Sequence, residues 1–463
     1  MLNIKKLDSK WYYVVSELFN KGSSYGILLV LSYFLTSEEY GEITLFNSIL
    51  TLAVVFVSLN MTRNYIIRIF ADQGRGIGKV IETIVSFLVV FNLLSVGVIC
   101  LLSCFDSLFH VPTILISSGI LVAIFMINYD ILQGLLVASE KKIVYCVLSI
   151  LYSIFSVVFA LGVYFIFPQT GIFSFIGMKL ALAVISCIAA TIYFIKRYHI
   201  RFHVDWSILK PALIYSLPLI LHSVSGFLLN YLDRFMINGM TGLSQTALYS
   251  FAHNLAMVMN IVVLAVNQGL LPKFYKLLNE KNYKVIDRII THNGILLSAF
   301  AILYSFLLDN VMFLFPPQYR DLQLVSFMLL FSYILYFGYV IYSNYLYYQK
   351  NTIRVFLNTL IAGIANIFMN YFLIQQSGYT GATIATLISY FIMYFLFYRS
   401  ARKMYGKNVY SLKKMTLLLA GTAAVIIVYY LLKDIIVLKF IYIAVVTAGL
   451  LILYWKRRRY VNG

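Results

Sequence analysis

In the stretch VVSELFNKGSSYGILLV, residues 14–30, Glu17 and Lys21 interrupt an apolar run, and Gly22, Ser23, Ser24 and Gly26 follow them. Glutamate four residues before lysine is the order that pairs on one helix face. Such a pair either neutralises itself or lines a wet cavity, because ionisable groups inside a membrane face the bundle interior or water. The cavity is the favoured reading here. Asp130, with Asn128 and Gln133 beside it, and Lys179 pose the same question in two later apolar runs. They either pair and lock the helices together, or Asp130 carries a proton or ion. His222, in a run with Pro218, Ser223, Ser225 and Gly226, is a second ion-coupling candidate against the reading of a hydrogen-bonded core histidine. His253, Asn254, Asn358, Asn366 and Asn370 offer groups that either glue helices together or hydrogen-bond a polar cargo. No Cys/His cluster has metal spacing, and no GxxxxGK phosphate loop is present. No cofactor, metal or nucleotide chemistry is therefore expected, and the chain is read as something other than an enzyme.

These residues need elements to hold them, and the composition says which. The chain has 463 residues, 62% of them hydrophobic and only 11% charged, with mean hydropathy +0.87. Apolar runs of about 20 residues recur from end to end, each long enough to cross a bilayer. The runs are continuous rather than alternating, which points to helices and not a barrel. The expected fold is an all-α polytopic membrane protein of about fourteen transmembrane helices. The spans are 12–35, 41–61, 81–105, 112–138, 143–167, 171–195, 209–232, 243–271, 289–314, 321–348, 354–376, 379–398, 414–432 and 438–455. The four cysteines, Cys100, Cys104, Cys146 and Cys187, read as small buried hydrophobes.

The net charge of +19 is laid out by topology and does not indicate nucleic acid. Thirty of the 36 Lys and Arg fall at the termini or in alternate loops. The opposite loops hold only Arg234, Arg320, Lys433 and Lys439, and lean acidic through residues such as Asp233, Asp309 and Asp434. The positive-inside rule then places both termini in the cytoplasm of a multi-pass protein. The outer loops are too short for a catalytic domain.

The chain also repeats itself at an offset of about 207 residues. FPQTGIFSFIGMKLALAVIS at 167–186 matches IQQSGYTGATIATLISYFIM at 374–393, and SEEYGEITLFNSI at 37–49 lies over SQTALYSFAHNLA at 244–256. SEKKIVYCVLSILYSI at 139–154 matches QKNTIRVFLNTLIAGI at 349–364 with a slip of three. Two six-helix lobes of like orientation follow, residues 1–200 and 201–405, with two unpaired helices in 406–463. Transporters built from such repeats hold substrate near the midplane and rock to expose either side.

LTSEEYGEITLFNSI (35–49), SLPLILHSVSGFLLNYLDRFMI (216–237) and NIFMNYFLIQQSGYTGATIATLIS (366–389) resemble the Wzx-type oligosaccharide flippases. These belong to the multidrug, oligosaccharidyl-lipid and polysaccharide exporter superfamily. The resemblance covers roughly residues 8–405, with LDRF closing the seventh span. It departs from the family in the two extra helices and in Gln375-Gln376, where relatives often carry a proline.

The resemblance implies a plasma (inner) membrane flippase for polyprenyl-pyrophosphate-linked oligosaccharide in O-antigen, capsule or exopolysaccharide assembly. A polysaccharide polymerase is the implied neighbour. On that reading Lys21, Arg63 and Arg234 meet the pyrophosphate, with Arg68 beside Arg63. Glu17, His253 and Asn254 border the cavity, and Asp130 and His222 couple an ion. For Arg63 the competing reading is positive-inside anchoring, and for Arg234 an ordinary interfacial charge. A small-molecule antiporter of the same superfamily shares the architecture. A membrane-embedded glycan polymerase is disfavoured by the short outer loops.

Overall fold

The computed structural model describes residues 19, 22–62, 65–67, 69, 76–108, 110–166 and 172–461. Glu17, Lys21, Arg63 and Arg68 lie outside the described residues. The helices are α1 (Gly22–Leu31), α2 (Ser37–Ser58), α3 (Ile77–Leu102), α4 (Thr113–Ala138), α5 (Lys142–Ile166), α6 (Ile172–Tyr198), α7 (Trp206–Asn230), α8 (Leu232–Thr241) and α9 (Leu243–Asn279). They continue as α10 (Tyr283–Val311), α11 (Gln323–Tyr348), α12 (Thr352–Tyr405), α13 (Leu412–Leu432) and α14 (Ile436–Val461). Among the described residues eleven helices are long and apolar enough to cross a membrane, and Gly22–Leu31 and Ile436–Gly449 are shorter apolar helices. α12 holds two spans, because its 54 residues break at Gly378. Twelve of the fourteen expected segments thereby match spanning helices, and 12–35 and 438–455 overlap the two shorter apolar ones.

The chain divides into two compact units, Met1–Ser250 with Asn370–Tyr379, and Phe251–Met369 with Thr380–Gly463. In the first, α2 packs on α4, and α4 on α6. Its core runs through Ala53 and Val57 of α2, Ile81 and Ile84 of α3, Ile131 and Leu135 of α4, Phe194 of α6 and Ala212 of α7. Helices in lipid lack a hydrophobic drive to associate, so close approach through small residues matters more. Gly119 of α4 shows this: a Cβ there would come within 2.7 Å of Ile49 Cγ2 on α2. In the second unit Gly338 of α11 does the same against the Tyr394 ring, at 2.6 Å.

Polar caps define the helix ends. Thr36 and Glu39 form a capping box at α2. Asp205 caps α7 by accepting from Ser207 N–H at 2.9 Å, and the Ser207 hydrogen bonds hold its carboxyl below the usual carboxylate range. The turns after α4 and α11 share one backbone conformation. Glu140 and Lys350 are both left-handed, with φ 55° and 56°. Lys141 N–H bonds Leu136 O and Asn351 N–H bonds Leu346 O, the same Schellman closure in each turn. The same closure follows α9, where Lys281 has φ 53° and Asn282 N–H bonds Leu277 O, so it is a general way of ending these helices.

Gly378 has φ 55° and ψ −135°, backbone that only glycine adopts freely. A Cβ there would also meet Gln245 Oε1 at 2.9 Å. The helix runs unbroken through Gln375 and Gln376 up to that point, so Gly378 makes the break without a proline. Gly378→Ala is expected to destabilise the protein by about 1–3 kcal/mol. Thermal unfolding in detergent measures this, and a variant melting with the wild type would refute the strain.

Three sequence expectations change here. LDRF does not close the seventh span: α7 ends at Asn230, the backbone breaks at Tyr231, and Leu232-Asp233-Arg234-Phe235 opens the separate helix α8. The eighth span does not stop at 271 but continues to Asn279 through Pro272. Cys100 and Cys104 are exposed on the protein surface rather than buried, and Cys146 and Cys187 are half-buried. An apolar run in a membrane protein has two destinations, lipid or core, and cysteine suits both.

Candidate functional site

A cavity of about 210 Å³ lies within the first unit, walled by α1, α4, α5 and α6. α4 contributes Tyr129, Asp130 and Gln133, which its helical period sets on one face. α5 contributes Tyr145, Tyr152, Ser153 and Ser156, and α6 contributes Lys179. Ser23 and Ser24 of α1 close the wall, so part of the run after Lys21 borders this space.

Hydrogen bonds hold the wall rigid. Gln133 Nε2 donates to Tyr129 Oη at 2.6 Å, and Ser149 Oγ donates to Gln133 Oε1 at 3.2 Å. The Tyr129 ring stacks on Tyr152 with centroids 4.8 Å apart. α4 and α5 are thereby fixed against each other, and Asp130 is presented to the cavity between them.

Asp130 and Lys179 share the cavity but do not form the ion pair that their placement in neighbouring helices suggested. Asn128 sets the register by donating to Thr191 Oγ1 at 2.8 Å. Lys179 lies twelve residues before Thr191, about three turns along α6. Its ammonium instead meets Ser156 Oγ at 3.5 Å and lies 5.5 Å from the centre of the Phe175 ring. Among the described residues no carboxylate comes within 4.0 Å of it. The cavity therefore carries an acid and a base at separate positions on a lining of hydroxyls.

The remaining candidates are distributed elsewhere. His222 is half-buried on α7 and has no hydrogen-bond partner among the described residues. Arg234 is 4% exposed, so it is no interfacial charge. Its guanidinium donates to Ser250 Oγ at 3.2 Å and Asn230 O at 3.0 Å, and lies over the Tyr231 ring. Asp233, read as an outer-loop acid, is also buried in α8. It accepts from Tyr249 Oη at 2.5 Å and Asn370 Nδ2 at 2.7 Å. His253 and Asn254 are buried, and His253 Nε2 meets Tyr333 Oη at 2.9 Å in the second unit. Of the amides, Asn358 ties to Ser400 and Asn267 to Asn344, and with Asn370 these act as helix glue.

Two features escaped the sequence reading. The first is the polar stripe on α5, Tyr145, Ser149, Tyr152, Ser153 and Ser156, whose i, i+4, i+7, i+8, i+11 spacing was legible. The second is a buried bridge from Lys439 of α14 to Asp309 Oδ2 of α10 at 2.7 Å, joined by Tyr429 of α13 at 2.8 Å. Both charges had been assigned to outer loops. They lie within helices instead, and the bridge fastens the two extra helices to the second unit.

The fold defines a multi-pass helical membrane protein. Over 97% of this chain and 99% of the other, it superposes on the inward closed conformation of the lipid II flippase MurJ, with TM-score 0.73 and 14% identity. An inward-facing multidrug resistance MATE family transporter of the MOP superfamily matches over 87% and 95%, with TM-score 0.65 and 16% identity. These likenesses establish the fold. The family model for "polysaccharide biosynthesis protein" matches residues 7–278, and the chain belongs to that family. "Lsg locus putative protein 1" of Haemophilus influenzae is 25% identical over 283 residues, 59% of this chain and 67% of that protein.

Proposed function

We propose that the protein is a flippase carrying polyprenyl-pyrophosphate-linked oligosaccharide across the bacterial plasma membrane for surface polysaccharide assembly. The observation that carries this is membership of a polysaccharide biosynthesis family on a fold shared end to end with a lipid-linked precursor flippase. Both termini are cytoplasmic on this reading, as the alternating basic loops require. The two repeat lobes, 1–200 and 201–405, rock about a central site. Lys21 and Arg63 hold the pyrophosphate, the glycan occupies polar space, and the prenyl chain stays in lipid. An ion gradient drives the cycle, with Asp130, Glu17 and His222 as the groups that take up the ion. Arg234, His253 and Asn254 brace the helices around the path. A polysaccharide polymerase takes the delivered product.

The likeness to a multidrug transporter supports a second reading, an ion-coupled small-molecule antiporter. One experiment addresses both. Lys21→Ala is expected to abolish surface polysaccharide at normal expression, with lipid-linked glycan accumulating inside, while Lys21→Arg retains a large part. Normal polysaccharide in both variants would remove the pyrophosphate role. Drug sensitivity with unchanged glycan on deletion would favour the antiporter.

A further inference from the structure

Six tyrosines on α11 recur at every third residue: Tyr333, Tyr336, Tyr339, Tyr342, Tyr345 and Tyr348. Four have a hydroxyl partner within the second unit. Tyr333 meets His253, Tyr342 donates to Tyr410 O, Tyr345 accepts from Tyr410 N–H, and Tyr348 donates to Asn279 Oδ1. Tyr336 and Tyr339 have none among the described residues, and neither does Tyr347. Their rings are nonetheless braced. Tyr336 packs 5.0 Å from Tyr339 and 5.8 Å from Tyr390, and Tyr339 packs 4.6 Å from Phe397.

The unpartnered hydroxyls share a face. At about 100° per residue, the accessible positions Leu324, Met328, Phe331, Tyr336, Tyr339 and Tyr347 fall on one side of α11. The first three are apolar and the last three are phenols. Tyr336 is thirteen residues from Gln323 and twelve from Tyr348, about 18–20 Å from either helix end. That depth excludes the interfacial tyrosine belt, which sits at headgroup level. Hydrocarbon is disfavoured as well, since it would leave two phenols unsatisfied. The exposed face of α3, by contrast, is aliphatic, with Val89, Val90, Leu93, Leu94 and Leu101. No charged residue occurs anywhere in α11, so this surface is built for a neutral partner rather than a phosphate.

We propose that Tyr336 and Tyr339 form a sugar-contacting wall that senses the glycan part of the cargo. A pyranose offers a C–H face that packs on an aromatic ring and equatorial hydroxyls that satisfy phenols. Braced rings meet it with little loss of side-chain entropy. The inference rests on the flippase reading and assigns glycan recognition to the second unit, apart from the pyrophosphate.

The test uses the full chain in nanodiscs and two probes. One is the lipid-linked glycan that accumulates in cells depleted of this protein, and the other is sugar-free undecaprenyl pyrophosphate. Wild type is expected to bind the glycosylated lipid more tightly. Tyr336→Phe with Tyr339→Phe keeps the rings and removes two hydroxyls, and is expected to reduce that preference about tenfold. Tyr336→Leu with Tyr339→Leu reduces it further, and Tyr342→Phe, whose hydroxyl is partnered internally, leaves it unchanged. A wild-type preference in both double variants would overturn the wall. So would a loss of affinity for both lipids with the preference kept, which would place the tyrosines against the prenyl chain or pyrophosphate. If wild type binds neither lipid, the flippase reading itself fails.

Discussion

Asp309→Ala is expected to cost about 3–5 kcal/mol of stability, because it strands the Lys439 ammonium without a carboxylate. The pair is well placed for so large an effect. Asp309 Oδ2 accepts from Lys439 Nζ at 2.7 Å and from Tyr429 Oη at 2.8 Å, with side chains only 6% and 15% exposed. Three helices, α10, α13 and α14, meet at this carboxylate. The same principle makes a second prediction of opposite sense. Replacing both charges by apolar residues, Asp309→Leu with Lys439→Met, is expected to restore most of the lost stability, since the desolvation of two ions is then avoided. Thermal unfolding in nanodiscs reads both, and proteolysis between α13 and α14 reports whether the two helices have come loose. A single variant as stable as wild type would show the bridge to be incidental.

Asp233→Ala is the second large effect. It leaves the Tyr249 hydroxyl and the Asn370 amide of the Asn370–Tyr379 segment without their shared acceptor. Each stranded buried donor costs about 1–3 kcal/mol. The expected loss is therefore several times that of a surface substitution. Tyr249→Phe in the Asp233→Ala background removes one orphan and is expected to recover part of it. The sign of that coupling in a double-mutant cycle is the measurement. Strict additivity would mean that the two groups do not interact, contrary to the 2.5 Å contact.

Which helices cross the membrane was legible because burial in lipid acts residue by residue. An apolar run such as Thr113–Ala138 needs no partner to declare itself. Break points that depend on one residue's backbone were partly legible. Gly378 falls opposite Gly171 when 374–393 is laid over 167–186, which marks it, but the halt of α7 at Tyr231 has no such mark, since tyrosine carries no breaking signal of its own. The polar residues divided in a similar way. That Asp130 and Lys179 would sit inside the bundle followed from their apolar flanks. That they would miss each other depended on the register set by Asn128 and Thr191, 63 residues apart in sequence.

The sequence by itself determined the class of protein, the count of spans, the alternation of charge and the internal repeat. All four arise from local hydrophobicity or from similarity along the chain. Only the tertiary structure decided which polar groups are spent on each other and which remain open. Arg234, Asp233, His253, Asp309 and His222 looked equally available when read one at a time. Packing gave the first four buried partners and left His222 half-buried with no hydrogen-bond partner among the described residues. It likewise separated Tyr336 and Tyr339 from four tyrosines of identical spacing. A hydrogen bond joins two residues, and a sequence shows them only one at a time.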